Sequence, residues 1–290
     1  MAITKQVLGV YGAGSDHWVG DGFPVRNLFP SNGINKEIDP FLMLDYAGPS
    51  HFEPSKRSHG VGQHPHRGFE TVTIAYQGSV SHRDSAGNQG TIYPGDVQWM
   101  TAASGVVHEE MHAKEFAEKG GTFEMVQLWV NLPKAVKMSA PRYQGITKEE
   151  IPVVALGKNG HARIIAGELD GVKGPAKTFS PVNVFDLQLK AGEAVKLALP
   201  DGHNTGVVLL KGHVVLNGSA TLKGEARIAT LSASGEEITL EPKEDSTLLI
   251  LSGEPINEPV ASYGPFVMNT QDELKQAFED YKSGRMGSLN

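Results

Sequence analysis

Apolar positions along this chain recur in short runs, each closed by turn residues. Phe69–Tyr76 reads FETVTIAY, rich in β-branched and aromatic side chains, and stops at Gly78. Thr91–Tyr93 leads into Pro94-Gly95-Asp96, where proline followed by glycine fits the two central positions of a type II turn. Val97–Thr101 and Val106–His112 follow, and Phe123–Leu132 (FEMVQLWVNL) ends at Pro133. The second half continues with VNVFDLQLKAG, AVKLALPDG, GVVLLKG, HVVLNG, ARIATLSASG, ITLEPK and STLLILSG at short, fairly even spacing. Many short strands with frequent turns predict an all-β sandwich or barrel. One helix is expected, over 271–283. Thr270 with Glu273 forms a capping box, Leu274, Ala277, Phe278 and Tyr281 share one face, and Gly284 can end it. Its simplest role is a lid packed on a sheet face.

The two halves read as one plan used twice. IAYQG at 74–78 resembles VLLKG at 208–212, and both lead through turns into further strands. The turn-rich, polar stretch Pro141–Lys148 marks the expected boundary, giving domains 1–142 and 143–290.

Composition narrows the function classes. The formal charge is −7, with no basic cluster to track phosphates, so direct nucleic-acid contact is not expected. There is no cysteine, which excludes disulfides, thiolate metal sites and cysteine nucleophiles, and suits a reducing cytoplasm. No apolar run approaches the length of a membrane span, and the first residues do not read as a signal peptide.

Histidine is unevenly spread. Seven of the 11 fall between His51 and His112, where even spacing would place about two. Residues i and i+2 of a strand point to one face. His64-Pro65-His66 can therefore send both imidazoles inward, with Pro65 confining that piece to a strand start or an edge. In His108-Glu109-Glu110-Met111-His112, residues 108, 110 and 112 share a face. Two strands offering two ligands each can surround one ion. Three imidazoles and a carboxylate are borderline-to-hard donors suited to Fe(II), Ni, Mn, Co or Zn. Four protein ligands leave up to two octahedral positions open. His112, where the strand should end, is placed outside the ligand set. His51, His59 and His82 are read as solvated loop residues, Arg67 as a surface or salt-bridge residue, and Trp99 and Met100 as core. Glu70 has the parity of His64 and His66 and stays open as the carboxylate. When Gly78 is aligned with Gly212, His64, His66 and Glu70 fall on Ala198, Pro200 and Asn204. The second half therefore lacks ligands.

HPHRGFETVTIAYQG followed by PGDVQWMTAASGVVHEEMH resembles the two motifs of the cupin superfamily, and specifically the pirin family. LPDGHNTGVVLLKG and GPFVMNTQDELKQAFEDYKSGRMG are also similar to pirin segments. The resemblance covers nearly the whole chain. It implies a bicupin of two tandem antiparallel jelly-roll barrels, with iron in the N-terminal one only. General cupins would take the carboxylate from Glu70, whereas the pirin pattern carries over to His64, His66, His108 and Glu110 as ligands of one divalent ion, most simply Fe(II). The resemblance further implies quercetin 2,3-dioxygenase activity, in which O2 opens the flavonol heterocycle and Glu110 accepts the 3-hydroxyl proton. Its other implication is a non-enzymatic, iron- and redox-responsive regulator that binds a transcription factor or a metabolic enzyme.

Overall fold

The computed structural model describes residues 2–30, 33–158 and 160–289. It separates into two compact units, each assembled from three stretches of chain. One comprises Met1–Ser15, Asn27–Met43 and Glu149–Pro255, the other Asp16–Arg26, Leu44–Lys148 and Ile256–Asn290. The expected linear division into 1–142 and 143–290 differs from this. Strand β1 (Val7–Gly12) belongs with second-half strands because it pairs along Ala220–Leu231. The C-terminal helix belongs with first-half strands because its apolar face is buried there.

In the first unit β1 begins an antiparallel sheet that continues through Ala220–Leu231, Asn204–Leu216, Ser246–Gly253, Val182–Leu189, Gly160–Ala166 and Val153–Leu156. It carries a large apolar core. Phe185, Leu187, Leu209, Ile238, Leu248 and Ile250 are among the side chains that fill it.

The second unit contains β2 (Asp16–Val19), β3 (Phe23–Phe29) as far as Arg26, β4 (Phe41–Phe52) from Leu44, β5 (Gly60–His66), β6 (Phe69–Gln77), β7 (Val80–Asp84), β8 (Gln89–Ile92), β9 (Val97–Thr101), β10 (Val106–His112), β11 (Gly121–Asn131) and β12 (Arg142–Ile146). They form a seven-stranded sheet in the order β12-β9-β6-β11-β4-β3-β2 and a four-stranded sheet in the order β5-β10-β7-β8. Residues 142–146, expected in an interdomain loop, are the edge strand β12, with Tyr143 opposite Met100. The turn before β9 forms as its sequence demands. Asp96 N donates to Tyr93 O at 2.8 Å, and Gly95 takes the positive φ of +95° that favours glycine there.

The C-terminal helix runs Gln271–Lys282. Thr270 Oγ1 accepts from Glu273 N at 3.2 Å, and Glu273 Oε2 accepts from Thr270 N at 2.9 Å. Leu274 and Ala277 pack with Phe266, Met268 and Met286 on Val107 of β10. Among the described residues no helix is long and apolar enough to cross a membrane.

Candidate metal centre

β5 is an edge strand, the position its central proline requires. It runs antiparallel to β10, with His64 opposite His108 and His66 opposite Val106. The i, i+2 alternation brings three imidazoles into a near-equilateral triangle. Ring centroids are separated by 4.2 Å for His64–His108 and by 4.8 Å for both His64–His66 and His66–His108. One ring nitrogen from each lies within 4.8 Å of the others. Among the described residues no other three His, Cys, Asp or Glu side chains converge in this way.

Burial favours the neutral form of His66 and His108. Burial, followed by the neighbouring His64, pushes His66 down to about 3. Burial and the adjacent imidazoles lower His108 well below the ordinary histidine range. Neutral imidazole is the form that ligates metal. His64 Nδ1 lies 2.8 Å from the Gly62 carbonyl and His66 Nδ1 3.4 Å from that of Pro265. A carbonyl only accepts, so both Nδ1 atoms carry the hydrogen and both Nε2 atoms keep a lone pair. His108 is 1 % exposed, and neither of its ring nitrogens has a hydrogen-bond partner. Such an orphaned pair of buried polar atoms is costly unless a ligand meets it. The donor set therefore fits a divalent metal ion.

Glu110 is also buried and directed into the unit. Its carboxylate accepts from Thr73 Oγ1 at 3.2 Å and from Gln127 Nε2 at 3.0 Å, both on the facing sheet. The β5–β10 register shifts between His108 and Glu110, and Glu110 lies outside the close group of three histidines. Further polar atoms around this interior are unpaired, namely Gln98 Oε1, Trp129 Nε1 and both nitrogens of His82. Trp129 and Phe69 stand 5.4 and 5.1 Å from the His66 ring.

Several expectations change. Glu70 does not share the face of the three histidines. Gly68, at φ +88°, turns the chain between β5 and β6, so parity counted through it is lost. On β6 the inward residues are Thr71 and Thr73, opposite Trp129 and Gln127, and Glu70 stands on the other face. There it accepts from Thr101 Oγ1 at 2.7 Å, with Arg142 at 3.9 Å, and burial raises it to about 7. His82 is not solvated. It is 5 % exposed on β7, opposite Glu110, with its ring 4.9 Å from that of Tyr143. Strand alternation with Asp84 was the signal that could have placed it. Other expectations hold: Arg67 takes the salt-bridge role, buried against Asp280 at 2.8 Å. His112 is held by Gly22 O at 2.9 Å and stacks on Phe123, away from the triangle, while Trp99 and Met100 are buried.

The chain matches two family models, "Pirin" over residues 22–130 and "Pirin C-terminal cupin domain" over residues 184–287. It is 54% identical over 282 residues to a Pseudomonas aeruginosa protein provisionally named a quercetin 2,3-dioxygenase, covering 97% of this chain and 98% of that protein. A Solanum lycopersicum pirin-like protein is 40% identical over 271 residues, which is 92% of this chain and 88% of the relative. A crystal structure described as quercetin 2,3-dioxygenase from Acinetobacter baumannii superposes with a TM-score of 0.96 at 53% identity, covering 99% of this chain and all of that one.

Proposed function

The chain belongs to the pirin family, and from that premise we propose that it is a metal-dependent dioxygenase of the quercetin 2,3-dioxygenase type, opening the flavonol heterocycle with O2. His64, His66, His108 and Glu110 would hold one Fe(II) ion. The observation that carries this reading is His108, buried beside two imidazoles with both of its own nitrogens unpartnered. The 54% identity to a relative bearing that activity in its name supports the choice of reaction.

When bound, the ion supplies the Lewis acidity that lowers the pKa of a hydroxyl brought against it. The remaining work falls to the protein's own side chains. Glu110 receives the proton of the flavonol 3-hydroxyl. Thr73 and Gln127 donate to its oxygens and fix the carboxylate in place across the two sheets. Trp129 and Phe69 offer flat aromatic surface beside His66 for a planar polyphenol. Gln98 Oε1 and His82 add hydrogen-bonding capacity in an interior that is otherwise shielded from water.

The test is anaerobic reconstitution with Fe(II), metal analysis, and oxygen uptake with quercetin. Metal should reach about one equivalent per chain, because among the described residues only His64, His66 and His108 converge as a group of three ligating side chains. Quercetin's visible band should bleach with O2 consumption and carbon monoxide release, and chelation should abolish both. A fully metallated protein that leaves quercetin unchanged refutes the activity. Capture of a protein partner by Fe(III) but not Fe(II) protein would then favour the regulatory reading.

A further inference from the structure

Arg67 and Gly68 directly follow the two first-motif histidines, and neither faces the triangle. Both meet the C-terminal segment. Arg67 N and His66 Nδ1 each lie 3.4 Å from the same carbonyl, that of Pro265. Val267 N returns a hydrogen bond to Arg67 O at 3.0 Å, so Arg67 and Phe266 form a parallel bridge. The Arg67 guanidinium donates through Nε to Ser104 O at 2.7 Å and pairs through Nη1 with Asp280 of the C-terminal helix at 2.8 Å. Both side chains of that pair are largely buried. The ammonium of buried Lys137 clamps the two strands from the side, donating to Gly68 O at 2.6 Å and to Val267 O at 3.1 Å. A Cβ on Gly68 would lie 1.9 Å from Val267 O, so only glycine admits this approach.

These contacts converge on one carbonyl. We propose that residues 261–289 act as a positioning element for the metal centre, in which the Pro265 carbonyl fixes the ring orientation and tautomer of His66, and the Arg67–Asp280 pair holds Pro265 in register. The inference rests on the metal reading given above. A free neutral imidazole exchanges between two tautomers, and only the one with hydrogen on Nδ1 presents Nε2 to the triangle. His64 gets this from Gly62 of its own strand, whereas His66 depends on a segment about 200 residues away. Loss of such an outer partner lowers metal affinity by roughly 10- to 100-fold.

The experiment uses the full-length chain. Co(II) affinity is measured by competition with a chromophoric chelator for wild type, Asp280→Asn and Arg285→Gln. Arg285 is the other ion-pair partner of Asp280 and its side chain is 60 % exposed. Asp280→Asn should weaken Co(II) binding about 10-fold, at the lower end of that range, and Arg285→Gln should retain wild-type affinity. Long-range ¹H–¹⁵N spectra of the metal-free wild type should place the His66 hydrogen on Nδ1, a readout that requires no variant to fold. In Asp280→Asn the two tautomers should mix. Wild-type His66 carrying its hydrogen on Nε2 would overturn the proposal. So would Asp280→Asn with unchanged affinity, or with weakened affinity and an unchanged His66 tautomer. A wild type that binds no Co(II) would instead sink the metal reading, while the tautomer still reports on Pro265.

Discussion

Glu70→Gln separates two roles that the sequence could not tell apart. Glu70 is 1 % exposed, and burial raises its carboxyl from 4.5 to about 7, against the Thr101 hydrogen bond and the Arg142 charge. The sign follows from which state holds the proton. Below the unfolded value both states are protonated, and the group's stabilising contribution is fully present. Between 4.5 and about 7 the unfolded chain ionises while the folded one keeps its proton, so stability falls as pH rises. Above the folded value the loss is complete. At about 1.4 kcal/mol per unit it amounts to roughly 3 kcal/mol. Glutamine does not titrate, and its Oε1 can still accept from Thr101. The Arg142 contact is long and one-third exposed, so removing that charge pair matters little. Urea unfolding of metal-free wild type and Glu70→Gln should therefore give similar stabilities near pH 4.5 and diverge as pH rises. The variant should be up to about 3 kcal/mol more stable at pH 8. Metal content of the reconstituted variant should equal wild type, because Glu70 lies on the face of β6 opposite Thr73. Parallel pH profiles would refute the burial reasoning. Loss of metal would refute the placement of Glu70 outside the site.

His108→Ala should reduce bound metal to background in elemental analysis while the far-ultraviolet dichroism of its strands persists; retention of one equivalent would remove His108 from the ligand set. Gly68→Ala forces alanine to φ +88° against the Val267 carbonyl, so denaturant unfolding should register a loss of roughly 1–3 kcal/mol from the backbone conformation alone; a neutral effect would mean that the C-terminal segment does not pack there. Thr270→Ala removes the hydroxyl that accepts from Glu273 N and should lower stability by about 1 kcal/mol in the same assay, with an unchanged midpoint counting against the cap.

Strand and turn assignments were legible because they are local. Period-two alternation, proline–glycine at 94–95 and the capping box at 270–273 act within a few residues, and each appears in the structure where the pattern placed it. The three histidines were legible for the same reason, since i, i+2 spacing within a strand sets a common face without reference to anything distant. Parity failed at Glu70 because it was counted across Gly68, and a residue at positive φ resets which way the next strand's side chains point. His82 was misread because its one local sign, alternation with Val80 and Asp84, is weak in a short run of polar residues. Its inward direction is fixed by the pairing of β7 with β10.

The sequence by itself determined the element type, the shared face of His64 and His66 on one strand and the place of His108 on another. Tertiary structure alone decided which elements complete each unit. A strand edge or an amphipathic helix takes whichever partner buries it, and sequence distance does not enter. Thus β1 pairs with Ala220–Leu231, and the helix at 271–282 covers β10. The same holds at the metal centre. Alternation put His66 on the correct face, but its hydrogen-bond partner, Pro265, lies 199 residues along the chain. Only the folded chain brings that carbonyl to the ring, because a hydrogen bond depends on distance and direction in space and leaves no periodic trace in sequence.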